Sequence, residues 1–166
     1  MRTEKKLAAG ILAICKNTGR ILLGRRSADD ASFPGYWAIF GGTFEDRDGS
    51  PKQTAKREFK EETKYSGSYE ISKSPIDTRS DNMITYYTYI GLFDHEFAPD
   101  INGADEFSQE HADYGWFELD HMPDNLIGGL RETLSQYHDK IENVVDQAKK
   151  DKLRNIVRDV IKRVKK

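Results

Sequence analysis

Glu58, Glu61 and Glu62 stand at i, i+3 and i+4, a spacing that puts three carboxylates on one face of a helix. Like charges so placed repel, by a few tenths of a kcal/mol per pair (~0.2–0.5) even in water, so helix stability does not call for them. A divalent cation would neutralise them. With only oxygen ligands in the cluster, the chemistry selects Mg²⁺ or Mn²⁺ over zinc, and Mg²⁺ characteristically shares its shell with substrate phosphates. That suits cleavage of a phosphate anhydride. Gly41-Gly42 upstream lets backbone approach a metal or phosphate where a Cβ would obstruct. Taken alone, the glutamates also fit a solvated helix face, since Lys52, Lys56, Lys60 and Lys64 offer partners.

The elements that must hold these residues are legible in outline. Ser50-Pro51 is an N-cap followed by proline at the first helical position, and Pro51–Lys64 contains no glycine or further proline, which predicts a helix. Leu7–Cys15 and Ile21–Arg25 flank a turn with Gly19 and read as a β-hairpin. Trp37–Phe40 is a short strand ending at the glycine pair, and Thr43–Gly49 a loop. Tyr69–Ser72, Ile84–Asp94 and Tyr114–Leu119 read as strands, 97–110 as an irregular acidic stretch, and Asn125–Tyr137 as a helix.

The final segment differs in charge. Residues 149–166 hold nine Lys/Arg and two Asp, a balance of +7 within a chain of net charge −2, which leaves −9 for the remainder. Leu153, Ile156, Val157, Val160, Ile161 and Val164 fall on one helical face. The expectation is a basic amphipathic helix over 139–166 docked on the domain formed by 1–138. The alternatives are a homodimer contact, or contact with RNA, DNA or an anionic surface.

At this point the box from Gly42 to Tyr65 resembles the signature of the Nudix hydrolases. Arg57-Glu58-Phe59-Lys60-Glu61-Glu62-Thr63-Lys64-Tyr65 matches its second half except at Lys64, where the family has glycine. The first half departs further. Gly42 lies one residue too far upstream, and Gly49 stands where the family has its first glutamate, so Asp48 or Glu45 has to substitute or the pairing with Arg57 is absent. Lys64 has to take the helix-ending conformation that glycine favours, or the helix runs on. Trp37 and the run from Glu110 through Trp116 to Leu119 extend the resemblance over about residues 5–137.

The resemblance implies an α/β/α sandwich around a mixed sheet. It also implies Mg²⁺-dependent attack of water on a nucleoside diphosphate linked to another moiety. On that reading Glu58, Glu61, Glu62 and Glu110, with the Gly42 carbonyl, hold the metal; Arg57 orients the carboxylates; Glu110 is a further ligand or the general base, with Asp105 and Glu106 as weaker candidates. Arg25, Arg26 and Phe33 are candidate substrate contacts, and His111 is expected to be a solvent-exposed bystander. Removal of pyrophosphate from RNA 5′ ends, prompted by the basic tail, and nucleotide binding without hydrolysis, prompted by the altered box, are the competing functions.

Composition narrows the rest. The 166 residues are 37% hydrophobic and 33% charged, enough for one ordinary domain with a heavily solvated surface. The lone Cys15 excludes a disulfide framework and a Cys-rich zinc site. The apolar run Leu7–Cys15 is far short of the ~20 residues of a membrane span. A cytoplasmic protein with no membrane partner is the expectation.

Overall fold

A computed structural model describes residues 4–102 and 110–165. Its centre is β1 (Lys6–Cys15), whose alternate side chains are buried on both faces. It turns at Gly19, which has a φ of 71°, into the antiparallel β2 (Ile21–Arg26), as the hairpin pattern predicts. On its other edge β1 runs parallel to β7 (Ile84–Phe93), from Lys6 opposite Ile84 to Cys15 opposite Phe93. The sheet is therefore mixed. It is completed by β3 (Trp37–Ala38), β4 (Phe40–Thr43), β5 (Glu70–Ile71), β6 (Asp77–Ser80) and β8 (His111–Phe117).

Two aromatic and aliphatic layers pack against it. Below lie Ala9, Ile11, Ala13, Leu22 and Phe40, covered by Ala55 and Phe59 of α1 (Pro51–Thr63). Above lie Leu12, Ile14, Leu23 and Ile90, covered by Leu130 and Leu134 of α2 (Gly128–Gln136) and by Ile141 and Val145 of α3 (His138–Val164). Period-two alternation along β1 feeds both layers at once, which yields the expected α/β/α sandwich.

Several boundaries differ from the sequence expectation. The strand expected over Trp37–Phe40 is two: β3 pairs with β2 and β4 with β1, and the glycine pair lies inside β4 rather than after it. β6 had no apolar signal; it is a strand because Asp77–Ser80 hydrogen-bonds the edge of β7. β8 begins at His111, earlier than expected. α2 begins at Gly128 because Leu126 and Ile127 are tied to Trp37 instead, by a bridge and by a backbone hydrogen bond of 3.0 Å. In α3, Ile141, Val145 and Ala148 are buried, but the apolar side chains from Leu153 onward are exposed. The stripe expected to dock on its own domain is not covered by the described residues.

Candidate active site

Helix α1 is set by its first turn. The Ser50 hydroxyl accepts from the Gln53 amide at 3.2 Å, and Pro51 follows at the position where its missing N–H costs nothing. Buried Ala55 and Phe59, the latter edge-on to Phe40 with centroids 6.1 Å apart, fix the rotation of the helix. That rotation turns Glu58 and Glu62 toward β4. Glu62 Oε2 accepts from the Gly41 amide at 2.8 Å. A Cβ on Gly41 would come within 2.5 Å of the Ala9 carbonyl oxygen, and one on Gly42 within 2.5 Å of the Glu58 carboxyl. The glycine pair is what lets the helix carboxylates sit against the strand.

These acids are not equivalent. Glu62 is nearly enclosed; burial above all, then the charges of Glu110 and Glu58, push its pKa well up, against the opposing pull of the Gly41 N–H. Burial also raises Glu58, with Arg57 opposing. Glu110, from the loop before β8, reaches Glu62 with its side chain, and its charge is felt at both Glu58 and Glu62. Glu61 stays at the rim, its side chain half exposed, 3.1 Å from Arg57 and 3.5 Å from Arg47. Of the three helix glutamates, two point inward, where Glu62 meets Glu110, and one flanks the opening.

Among the described residues, no Lys or Arg lies within ion-pair distance of Glu62. His111 Nδ1 is 3.8 Å from its Oε1, yet burial pulls the imidazole pKa down to about 4 and leaves it neutral. The expectation of an exposed His111 is corrected: it is buried, packed on Phe40 with centroids 4.7 Å apart, because β8 starts at this residue and carries the ring inward. Crowded oxygen donors, with no Lys or Arg at the most buried of them, fit a hard divalent ion.

Arg57 closes the other side. Its Nε and Nη2 bind the two oxygens of Asp48 at 2.7 and 3.0 Å, Nη1 reaches Glu58 at 2.8 Å, and Nη2 donates to the Thr43 carbonyl at 2.9 Å. Asp48 therefore substitutes for the absent box glutamate. A 3₁₀ turn over Asp46–Asp48 delivers it: Glu45 and Asp48 cap one another, and Gly49 leaves the turn with a φ of 71°. Glu45 is a secondary partner of Arg57 at 3.6 Å. Lys64 adopts the left-handed conformation, φ 56°, and its amide closes on the Lys60 carbonyl at 2.9 Å, so the helix ends where a glycine would have ended it.

A cleft of about 770 Å³ opens on the α2 side of the sheet and reaches Gly41, the anchor of Glu62. Arg26, Phe33, Tyr86 and Arg79 line it. Arg26 is tied to Asp30, and Phe33, half exposed, meets Tyr36 edge-on. Arg25 is not brought to the cleft: it faces Asp113 across the β2–β8 pairing, 3.7 Å away. Arg79 was not foreseen, since the polar run around it carries no motif. It is held by Asp77 at 2.7 Å and Glu132 at 2.8 Å. Asp105 and Glu106 lie outside the described residues.

A box helix under a mixed sheet, with its glutamates against a glycine pair, defines a family. The profile of the NUDIX domain matches residues 4–137. The chain therefore belongs to the Nudix family of hydrolases. Solved structures share the fold. A Nudix hydrolase from M. smegmatis, RenU, is 20% identical with a TM-score of 0.65 over 82% of this chain and 86% of its own. A C. elegans Ap4A hydrolase in a binary complex is 18% identical, TM-score 0.65, over 82% and 98%. A bifunctional NMN adenylyltransferase/ADP ribose pyrophosphatase from Francisella tularensis, complexed with AMP and a Mn ion, is 18% identical, TM-score 0.55, over 82% of this chain and 42% of its own. No curated protein matches the sequence significantly. No helix among the described residues is long and apolar enough to cross a membrane.

Proposed function

We propose that this protein hydrolyses the diphosphate linkage of a nucleoside diphosphate joined to another moiety, with Mg²⁺ or Mn²⁺ as cofactor. The observation that carries the reading is the convergence of Glu58, Glu62 and Glu110 beside the Gly41-Gly42 backbone, with no protein cation on Glu62. Glu58, Glu61, Glu62 and Glu110 with the Gly42 carbonyl would hold the ion. When bound, it supplies positive charge to the diphosphate oxygens and acidifies water. The Mn ion and AMP in the Francisella tularensis relative support this choice of cofactor and substrate class.

The chain's own groups do the rest. Arg57 is a positioning residue: locked by Asp48 and the Thr43 carbonyl, it offers its remaining N–H groups to Glu58 and Glu61, fixing their oxygens and offsetting their repulsion. Glu110, on a loop facing the helix, takes the proton of the attacking water; an oxygen–phosphorus bond forms and the bridging bond breaks, its electron pair leaving with the departing phosphoryl oxygen. Arg26 and Phe33 line the adjacent cleft and serve the nucleotide portion. Arg25, paired away from the cleft, takes no part.

The test is product release from a panel of nucleotide substrates in Mg²⁺ by the wild type and Glu61→Gln. We expect Glu61→Gln to melt like the wild type and to lose at least about a hundredfold in rate. Binding of nucleotides with no Mg²⁺-dependent products from any of them would instead mark a binding module.

A further inference from the structure

The outer half of α3 presents a face that the described residues do not cover. Leu153, Ile156, Val157, Val160, Ile161 and Val164 are each about half exposed or more, whereas Ile141, Val145 and Ala148 are buried. At 100° per residue the two apolar faces do not line up: the outer one is turned about 120° round the helix from the seated one. It therefore looks away from the body.

Charge borders this face on both sides. Arg154 and Lys165 follow one edge and Lys152 and Arg163 the other, while Asn155, Arg158, Asp159 and Lys162 lie toward the opposite side of the helix. The occupant must therefore be apolar in the middle and anionic at its margins. Nucleic acid would pair the cations and leave six aliphatic side chains in water. A second copy fits poorly. Using 153, 157, 160 and 164 as its seam spans only two heptads, and the flanking positions 154, 156, 161 and 163 supply two arginines, two isoleucines and no acid.

We propose that α3 beyond Ala148 is a docking surface for an anionic lipid bilayer. The Leu153–Val164 stripe enters the boundary between headgroups and acyl chains, and the bordering Lys and Arg side chains reach up to the phosphates. The helix lies on the membrane rather than crossing it. This uses none of the residues of the hydrolytic site, so it stands or falls separately from it.

The experiment is vesicle co-sedimentation of the full chain. Vesicles of phosphatidylcholine alone are compared with vesicles containing phosphatidylglycerol, using the wild type, V157D/V160D and R154Q/R163Q. Because all four positions are exposed, the variants keep the domain intact, and matched circular dichroism and hydrolytic rates verify it. The wild type is expected to pellet at least about tenfold more with the anionic vesicles, less so in high salt, and both variants to lose most of that binding. Equal pelleting with both vesicle types, or none, overturns the proposal. So does retention of binding by V157D/V160D, which would mean bare charge attraction. A V160D-sensitive dimer in sedimentation velocity without vesicle binding would assign the face to a second copy and likewise overturn it.

Discussion

Asp48 ties the 3₁₀ turn before α1 to Arg57 and Thr54 of the helix. It is buried, accepts two hydrogen bonds from Arg57, one from the Thr54 hydroxyl at 2.8 Å and one from the Glu45 amide at 2.9 Å. The Arg57 guanidinium first, then these donors, hold its carboxyl far below the usual carboxylate range. A depressed carboxylate pKa gives stability that is fully present above the unfolded value, near ~4, and is lost as pH falls below it. Asp48→Asn should therefore be less stable than the wild type at pH 7, with the gap narrowing toward pH 2, as urea titrations at several pH values would register. A constant gap would contradict the charged pairing. Lys64 makes the opposite case. A lysine at φ 56° bears a left-handed backbone cost, partly offset by its ammonium bond to the Glu61 carbonyl at 2.7 Å. Lys64→Gly should raise stability by about 0.5 kcal/mol, read from the urea midpoint; a loss of stability would mean that this bond outweighs the strain.

At the level of elements, what could be read from the sequence depended on where each signal resides. Helix α1 was legible to within a residue, because its cap, its proline and its apolar spacing are local. So was the β1–β2 hairpin. The partner of Arg57 was not. Asp48 and Glu45 both lay within reach, and only the 3₁₀ turn with Gly49 in the left-handed region decides between them. His111 was misjudged because its burial is set by its start-of-strand position in β8 against Phe40, a long-range contact with no trace in neighbouring residues. β6 shows the same limit: Asp-Thr-Arg-Ser has no strand pattern of its own and is ordered by β7. In the site itself, the three helix glutamates were evident as a set. Their division into two inward groups and one rim group follows from the rotation that Phe59 imposes.

At the scale of the molecule, α3 divides at Ala148 into a part that belongs to the core and a part that does not. Ile141 is fully enclosed in the upper layer. Ile141→Ala should cost about 3 kcal/mol of unfolding free energy, whereas Val160→Ala should change it by no more than about 0.5 kcal/mol. Equal effects in denaturant titration would mean that the outer stripe is packed after all. The phase difference between the two halves was hidden in the sequence, since the spacing of apolar residues reveals a stripe but not which side of the helix the domain occupies.

The proposed hydrolysis depends on a hard cation held by the α1 carboxylates. The measurement that tests this most directly is the initial rate of diphosphate hydrolysis as a function of Mg²⁺ concentration, for the wild type and for Glu58→Gln of matched melting temperature. The predicted result is no turnover in chelator, saturation with Mg²⁺ in the wild type, and a variant at least about a hundredfold slower that requires more Mg²⁺ to reach half its maximum. Turnover that persists in chelator, or a Glu58→Gln rate within twofold of the wild type at the same half-saturation, would contradict it.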